Sequence, residues 1–155
     1  VTRVLILLSC LVIATPAAAQ NAFAWPESKQ PIAETASNIA VYSAIGLDTL
    51  HSWRSPDRSN AFACQAIRLG VTIGTAELLK RVVHKERPDG SDFKSFPSMH
   101  TGVAMASAGW KWQVGIPLAI GTGVFRMGAN KHDIVDVLAG AGIGYLSSHV
   151  GPCSP

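Results

Sequence analysis

The chain has 155 residues, of which 48% are hydrophobic and only 15% are charged, against about 25% charged in ordinary globular proteins; the length suits one domain. Its net charge of +3, from 13 basic and 10 acidic residues, is too small and too scattered for a nucleic-acid interface but suits a modest anion site. What remains is a tightly packed helical domain or a domain that touches lipid.

Residues 1–20 read as a secretory signal peptide or, alternatively, a retained N-terminal anchor. Arg3 gives a positive start, an apolar run follows to Ala14, and small residues stand at Ala17 and Ala19. Export would place the chain in the bacterial periplasm, or in the inner membrane with its site facing the periplasm, and so in an oxidising compartment. Cys64 and Cys153 then either form a disulfide tying the tail to a helix start or leave Cys64 free and buried. No cysteine or histidine spacing matches a zinc site, and no metal or cofactor is expected.

Residues 21–30 form an irregular lead-in, residues 31–149 a helical domain, and residues 150–155 a tail. A first helix is expected over 32–50, followed by the turn-rich connector HSWRSPDRSN. A second covers 61–83, with Gly70 and Gly74 as a small-residue face for close packing. It comes nearest to a membrane span, although Arg68 and Glu77 interrupt it. Residues 84–97 read as a charged loop. Pro97 can open a third helix and Ser98 can cap it, with its end near residue 111. A fourth covers 114–124. The fifth covers 131–149 and carries AGAGIGYL, glycines that suit tight helix packing or lipid. Trp25, Trp53, Trp110 and Trp112 fall near predicted helix ends, as interfacial anchors do. No alternation typical of strands occurs, so the expected fold is all-α, a single bundle of about five helices.

Three clusters carry chemistry. KRVVHKERP holds Lys80 and Arg87, seven apart, which a continuous helix would bring to one side. PSMH holds Ser98 and His100. RMGANKHDIVD holds Arg126, His132 and Asp136, and the last two are four apart, so a helix would set them on one face. Together they supply what phosphoryl transfer without a metal requires. Lys80, Arg87 and Arg126 would neutralise phosphoryl oxygens. The helix start after Pro97 would offer backbone N–H groups, and Ser98 a hydroxyl. His132, oriented by Asp136, would attack phosphorus. His100 would protonate the leaving alcohol and then activate water.

The order and spacing of these clusters resemble the three-part signature of the type 2 phosphatidic acid phosphatase and vanadium haloperoxidase superfamily, over about 57 residues. Lys80 with Arg87-Pro88 matches the first part. Pro97, Ser98 and His100 match the second, and Arg126, His132 and Asp136 the third. The resemblance implies the family's helical bundle. It also implies a metal-independent phosphatase acting on phosphate monoesters, lipid phosphates or diphosphates, with His132 as nucleophile, Asp136 as its partner and His100 as acid and base. Lys80, Arg87, Ser98, Met99 and Arg126 would bind phosphate. The low charge fraction and glycine-rich helices point to membrane association. Met99 stands where the pattern has glycine, and Phe125 where it has serine. These departures keep open an altered member with a binding role in the membrane. A pocket that holds phosphate also suits vanadate, so a haloperoxidase is a further alternative.

Overall fold

The computed structural model describes residues 23–108 and 111–150. The leader at 1–20, Trp110 and Cys153 lie outside the described residues, and with Cys153 the expected disulfide to Cys64. Among the described residues five α-helices follow one another: α1 (Gln30–Arg54), α2 (Arg58–Val83), α3 (Met99–Ala106), α4 (Trp112–Gly128) and α5 (Ile134–Ser147), with a 3-10 turn at Glu27–Lys29 before α1. Among the described residues there is no strand.

Helix boundaries depart from the sequence expectation where local signals compete. α1 runs through His51–Arg54, so the connector shrinks to the turn at residues 55–57, where Asp57 caps α2 by accepting from the Asn60 N–H. α2 stops at Val83 because His84 turns left-handed (φ 44°), so Lys80 and Arg87 do not share one continuous helix. α3 ends at Ala106 rather than near residue 111. α5 begins at Ile134, because Asp133 accepts from the N–H groups of Val135 and Asp136 while the Asp136 carboxylate reaches back to the Asp133 N–H. That reciprocal cap satisfies the first-turn donors and stops the helix there. His132 therefore precedes α5 instead of riding on it.

The short α3 is central and contacts each of the other four helices. It is buried on most faces, through Thr101, Gly102, Val103, Ala104 and Ala106, which is what an apolar helix without a polar face must do. Val103 and Ala104 pack with Val41, Ala44 and Ala119, flanked by Ile45, Leu69, Met99, Met105 and Leu118. α3 meets α5 very closely: Gly140 lies against the Ser98 carbonyl and Gly144 against the Gly102 carbonyl. A Cβ at Gly140 would strike backbone, which cannot swing aside as a flexible side chain can. Gly140→Ala is therefore expected to cost about 1–3 kcal/mol of stability, measurable as a lowered unfolding midpoint. Gly70 and Gly74, by contrast, have nothing within 4 Å. The small face expected of α2 packs against no neighbour among the described residues.

The interior is built from small and polar groups. Ala33, Ala44, Ala76, Ala104, Ala106, Ala108 and Ala119 are buried, as are Ser37, Ser52, Thr72, Thr101, Ser107 and Thr122. Large apolar side chains point outward from α1, α2, α4 and α5, among them Ile39, Tyr42, Val71, Leu78, Ile120 and Leu138. Water rewards the opposite arrangement. Among the described residues one helix, α2, is long and apolar enough to cross a membrane, and 28% of its apolar window is buried. Its 26 residues reach about 39 Å, more than the roughly 30 Å of bilayer hydrocarbon.

Candidate active site

Up-and-down connectivity brings the chemistry to one end of the bundle. The C-terminal ends of α2 and α4 carry Lys80 and Arg126, and the N-terminal ends of α3 and α5 carry His100 and Asp136. The loop between α2 and α3 adds Arg87. The loop between α4 and α5 adds His132. His100 sits within the electrostatic reach of Arg126, His132, Lys80 and Arg87 together, so groups far apart in sequence converge.

Each loop is pinned. Arg87 donates from Nε to Asp92 Oδ1 (2.7 Å), and its backbone N–H bonds the Asp92 carbonyl (2.9 Å). Lys131 reaches Asp89 Oδ2 (2.6 Å), joining the two loops directly beside His132. The Ser95 N–H bonds the Lys85 carbonyl (3.0 Å), closing the base of the first loop.

Arg126 is buried, with 4% of its surface exposed, and no carboxylate pairs with it among the described residues; its Nε has no hydrogen-bond partner there. A buried guanidinium without a directly paired carboxylate is costly, and an oxyanion would supply that partner with matching planar geometry. The start of α3 offers further donors. Ser98 occupies the cap position, but its hydroxyl bonds Thr101 Oγ1 (3.0 Å) and caps no backbone N–H. The first-turn amides of α3 thus stay open at the positive end of the helix, whereas those of α5 are closed by Asp133. Met99 directs its side chain into the apolar cluster beside Val103 and Ala104. Phe125 meets the Trp25 ring edge-on at 6.0 Å, holding the lead-in segment against α4, where the Trp25 N–H also bonds the Gly128 carbonyl.

His132 is 2% exposed, and its Nδ1 faces Asp136 Oδ2 at 3.6 Å. That is longer than a hydrogen bond, so Asp136 acts on the ring through charge. Nε2 is left as the ring's other nitrogen. His100 Nε2 meets Asn38 Oδ1 on α1 (3.1 Å); with that oxygen accepting, Nε2 carries the proton and Nδ1 is unprotonated. Burial pushes both rings down to about 4, with the neighbouring cations adding to the effect and, for His132, Asp136 opposing it. Both are therefore neutral near pH 7.

The buried rings make stability depend on pH. Unfolding returns His132 to its ordinary value of 6.5, so below that pH the unfolded chain binds a proton that the folded chain refuses until about pH 4. This contribution is complete above pH 6.5 and drains away as the pH falls to 4, by an amount on the order of 3 kcal/mol. Denaturant titrations across this window, without added anions, are expected to show that loss.

Four side chains at the site escaped the sequence reading. Asn38 gives no signal beyond one polar residue on an apolar helix. Lys85, Ser95 and Asp133 lie within or beside the motifs, yet nothing local says that they meet. Lys85 Nζ bonds Asp133 Oδ2 and Asp136 Oδ1, and the Ser95 hydroxyl donates to Asp136 Oδ2. Among the described residues no three His, Cys, Asp or Glu side chains group as a metal site.

The chain is similar to a lipid A 1-phosphatase of Porphyromonas gingivalis, at 30% identity over 109 residues, covering 63% of this chain. The chain spans about a quarter (24%) of the length of that protein. No family profile and no solved structure matches this chain.

Proposed function

We propose that this chain is a metal-independent phosphatase of the type 2 phosphatidic acid phosphatase kind. In this reading it works at a membrane surface and cleaves phosphate esters, lipid phosphates included, through a phosphohistidine. The observation that carries the reading is Arg126, a buried cation with no carboxylate paired to it among the described residues, converging with Lys80, Arg87 and two neutral histidines beside open helix amides. A dianionic phosphoryl group is the ligand whose charge and donor needs this set meets. The similarity to a lipid A 1-phosphatase supports the same chemistry.

In the mechanism we propose, the three cations and the α3 amides draw the phosphoryl oxygens and stabilise their developing charge. His132 Nε2 gives its lone pair to phosphorus as the bond to the leaving oxygen breaks. Asp136 offsets the positive charge that appears on the ring. The negative charge of the phosphoryl group would let His100 take up the proton that burial otherwise denies it. His100 then hands that proton to the leaving oxygen. In the second step it removes a proton from water, whose oxygen displaces His132 from phosphorus.

The outward apolar faces of α1, α2, α4 and α5 support membrane association. α2, the candidate span, ends beside the site, which would put the chemistry at the level of lipid headgroups. The test is phosphate release by the purified chain in detergent, with and without EDTA. Suitable substrates are a soluble aryl phosphate, phosphatidic acid, an isoprenyl diphosphate and a phosphorylated glycolipid of the lipid A type. EDTA-insensitive release is expected. Loss of release with EDTA, or no release from any of the four by folded protein, would overturn the reading.

A further inference from the structure

We infer that Lys85 is a positioning residue for His132, acting through Asp136; the inference rests on the phosphatase reading above. Lys85 lies two residues beyond α2, with 10% of its side chain exposed, and its ammonium is shared between two buried carboxylates, Asp133 (3% exposed) and Asp136 (0%). It is therefore committed to protein partners and is not a further phosphate ligand.

The sharing divides the labour of the Asp136 oxygens. Oδ1 takes Lys85 at 2.9 Å. Oδ2 takes the Ser95 hydroxyl and the Asp133 N–H (3.1 Å), and it is this oxygen that faces His132 Nδ1. Asp133 in turn holds the α5 start, its Oδ1 accepting from the N–H groups of Val135 (2.9 Å) and Asp136 (3.0 Å). One ammonium thus fixes the rotation of the Asp136 carboxylate and the start of the helix that carries it.

The groups facing Asp136 are Lys85 and Ser95 from the loop after α2, and Asp133 and His132 from the loop before α5. Arg126 and Arg87 act on the His132 ring itself. Remove Lys85, and two buried carboxylates remain side by side with no cation between them. One of them then takes a proton. A protonated Asp136 can no longer offset the positive charge that His132 gains when it attacks phosphorus.

The experiment measures kcat and KM against pH for the full chain in detergent, alongside thermal melts. The probe is a soluble aryl phosphate, or phosphatidic acid if the wild type releases phosphate only from that lipid. Lys85→Met is expected to keep KM within about threefold and to move the acid limb of the kcat profile upward by roughly one to three pH units. That shift is a loss of at least about tenfold in kcat on the acid side. Lys85→Arg should recover most of it. Asp133→Asn keeps the helix cap and frees Lys85 for Asp136 alone, so it should move the limb the other way. A purely structural ion pair would lower the melting temperature and leave the limb of the folded variant where it was.

A folded Lys85→Met with the wild-type limb would overturn the inference. If Lys85→Met does not fold, Asp133→Asn decides, and an unmoved limb overturns it. Release by the wild type with neither limb displaced sinks this inference alone. No release by the wild type sinks the phosphatase reading and this inference with it.

Discussion

Replacing His132 with alanine is expected to lower phosphate release by about 10⁴-fold or more, the scale on which hydrolases lose activity when a covalent nucleophile is removed. The fold should survive. His132 makes no hydrogen bond through Nδ1 in the described structure, and its contact with Asp136 is long. Truncation costs packing around one ring but strands no polar partner, because Lys85, Ser95 and the Asp133 N–H still hold Asp136. A second signature comes with the loss. Without the ring that resists protonation down to about pH 4, the decline in stability between pH 6.5 and 4 should flatten in the variant. Turnover near the wild-type rate in folded His132→Ala protein would remove His132 from the chemistry.

Arg126→Met is expected to cut turnover by about 100-fold, as loss of one oxyanion donor does elsewhere, while leaving the protein as stable as the wild type or more so in buffer without multivalent anions. The opposite directions follow from one fact: Arg126 is 4% exposed and pairs with no carboxylate among the described residues. Its buried charge is a cost to the fold that Glu34, Asp89 and Asp92, none of them paired with it, offset only in part, and that a bound anion would offset further. Orthophosphate or orthovanadate should therefore raise the melting temperature of the wild type by mass action and do much less for the variant. An equal anion-induced shift in both proteins, or a wild-type rate in the variant, would mean that Arg126 does not face the phosphoryl group.

Much of the candidate site is legible in the chain. Lys80, Arg87, Ser98, His100, Arg126, His132 and Asp136 stand out by residue type and spacing, because they make up the cations, nucleophile and proton carrier that the proposed phosphoryl transfer would need. The number of helices is legible too, since apolar runs broken by Pro, Gly and charged loops leave little choice. Individual placements are less legible. Arg87 lies in the charged loop expected at 84–97, but His132, expected on the fifth helix, is put in a loop by the cap at Asp133. They still reach the site, because the loops are tied together through Asp89 and Lys131.

Local sequence determines where the five helices form, since periodicity, capping and turn residues act over a few positions. It also determines which residues are candidates for the reactive groups. Tertiary structure decides which helix faces turn inward, because helices that are apolar on most sides have no local amphipathic signal to orient them. Gly140 and Gly144 are pressed against the α3 backbone while Gly70 and Gly74 face open space. Tertiary structure also decides the contacts of Lys85 with Asp133 and Asp136, across 48 and 51 residues. No local pattern encodes such partners. They meet only because the up-and-down bundle returns the end of α2 to the start of α5, where two buried carboxylates need a cation.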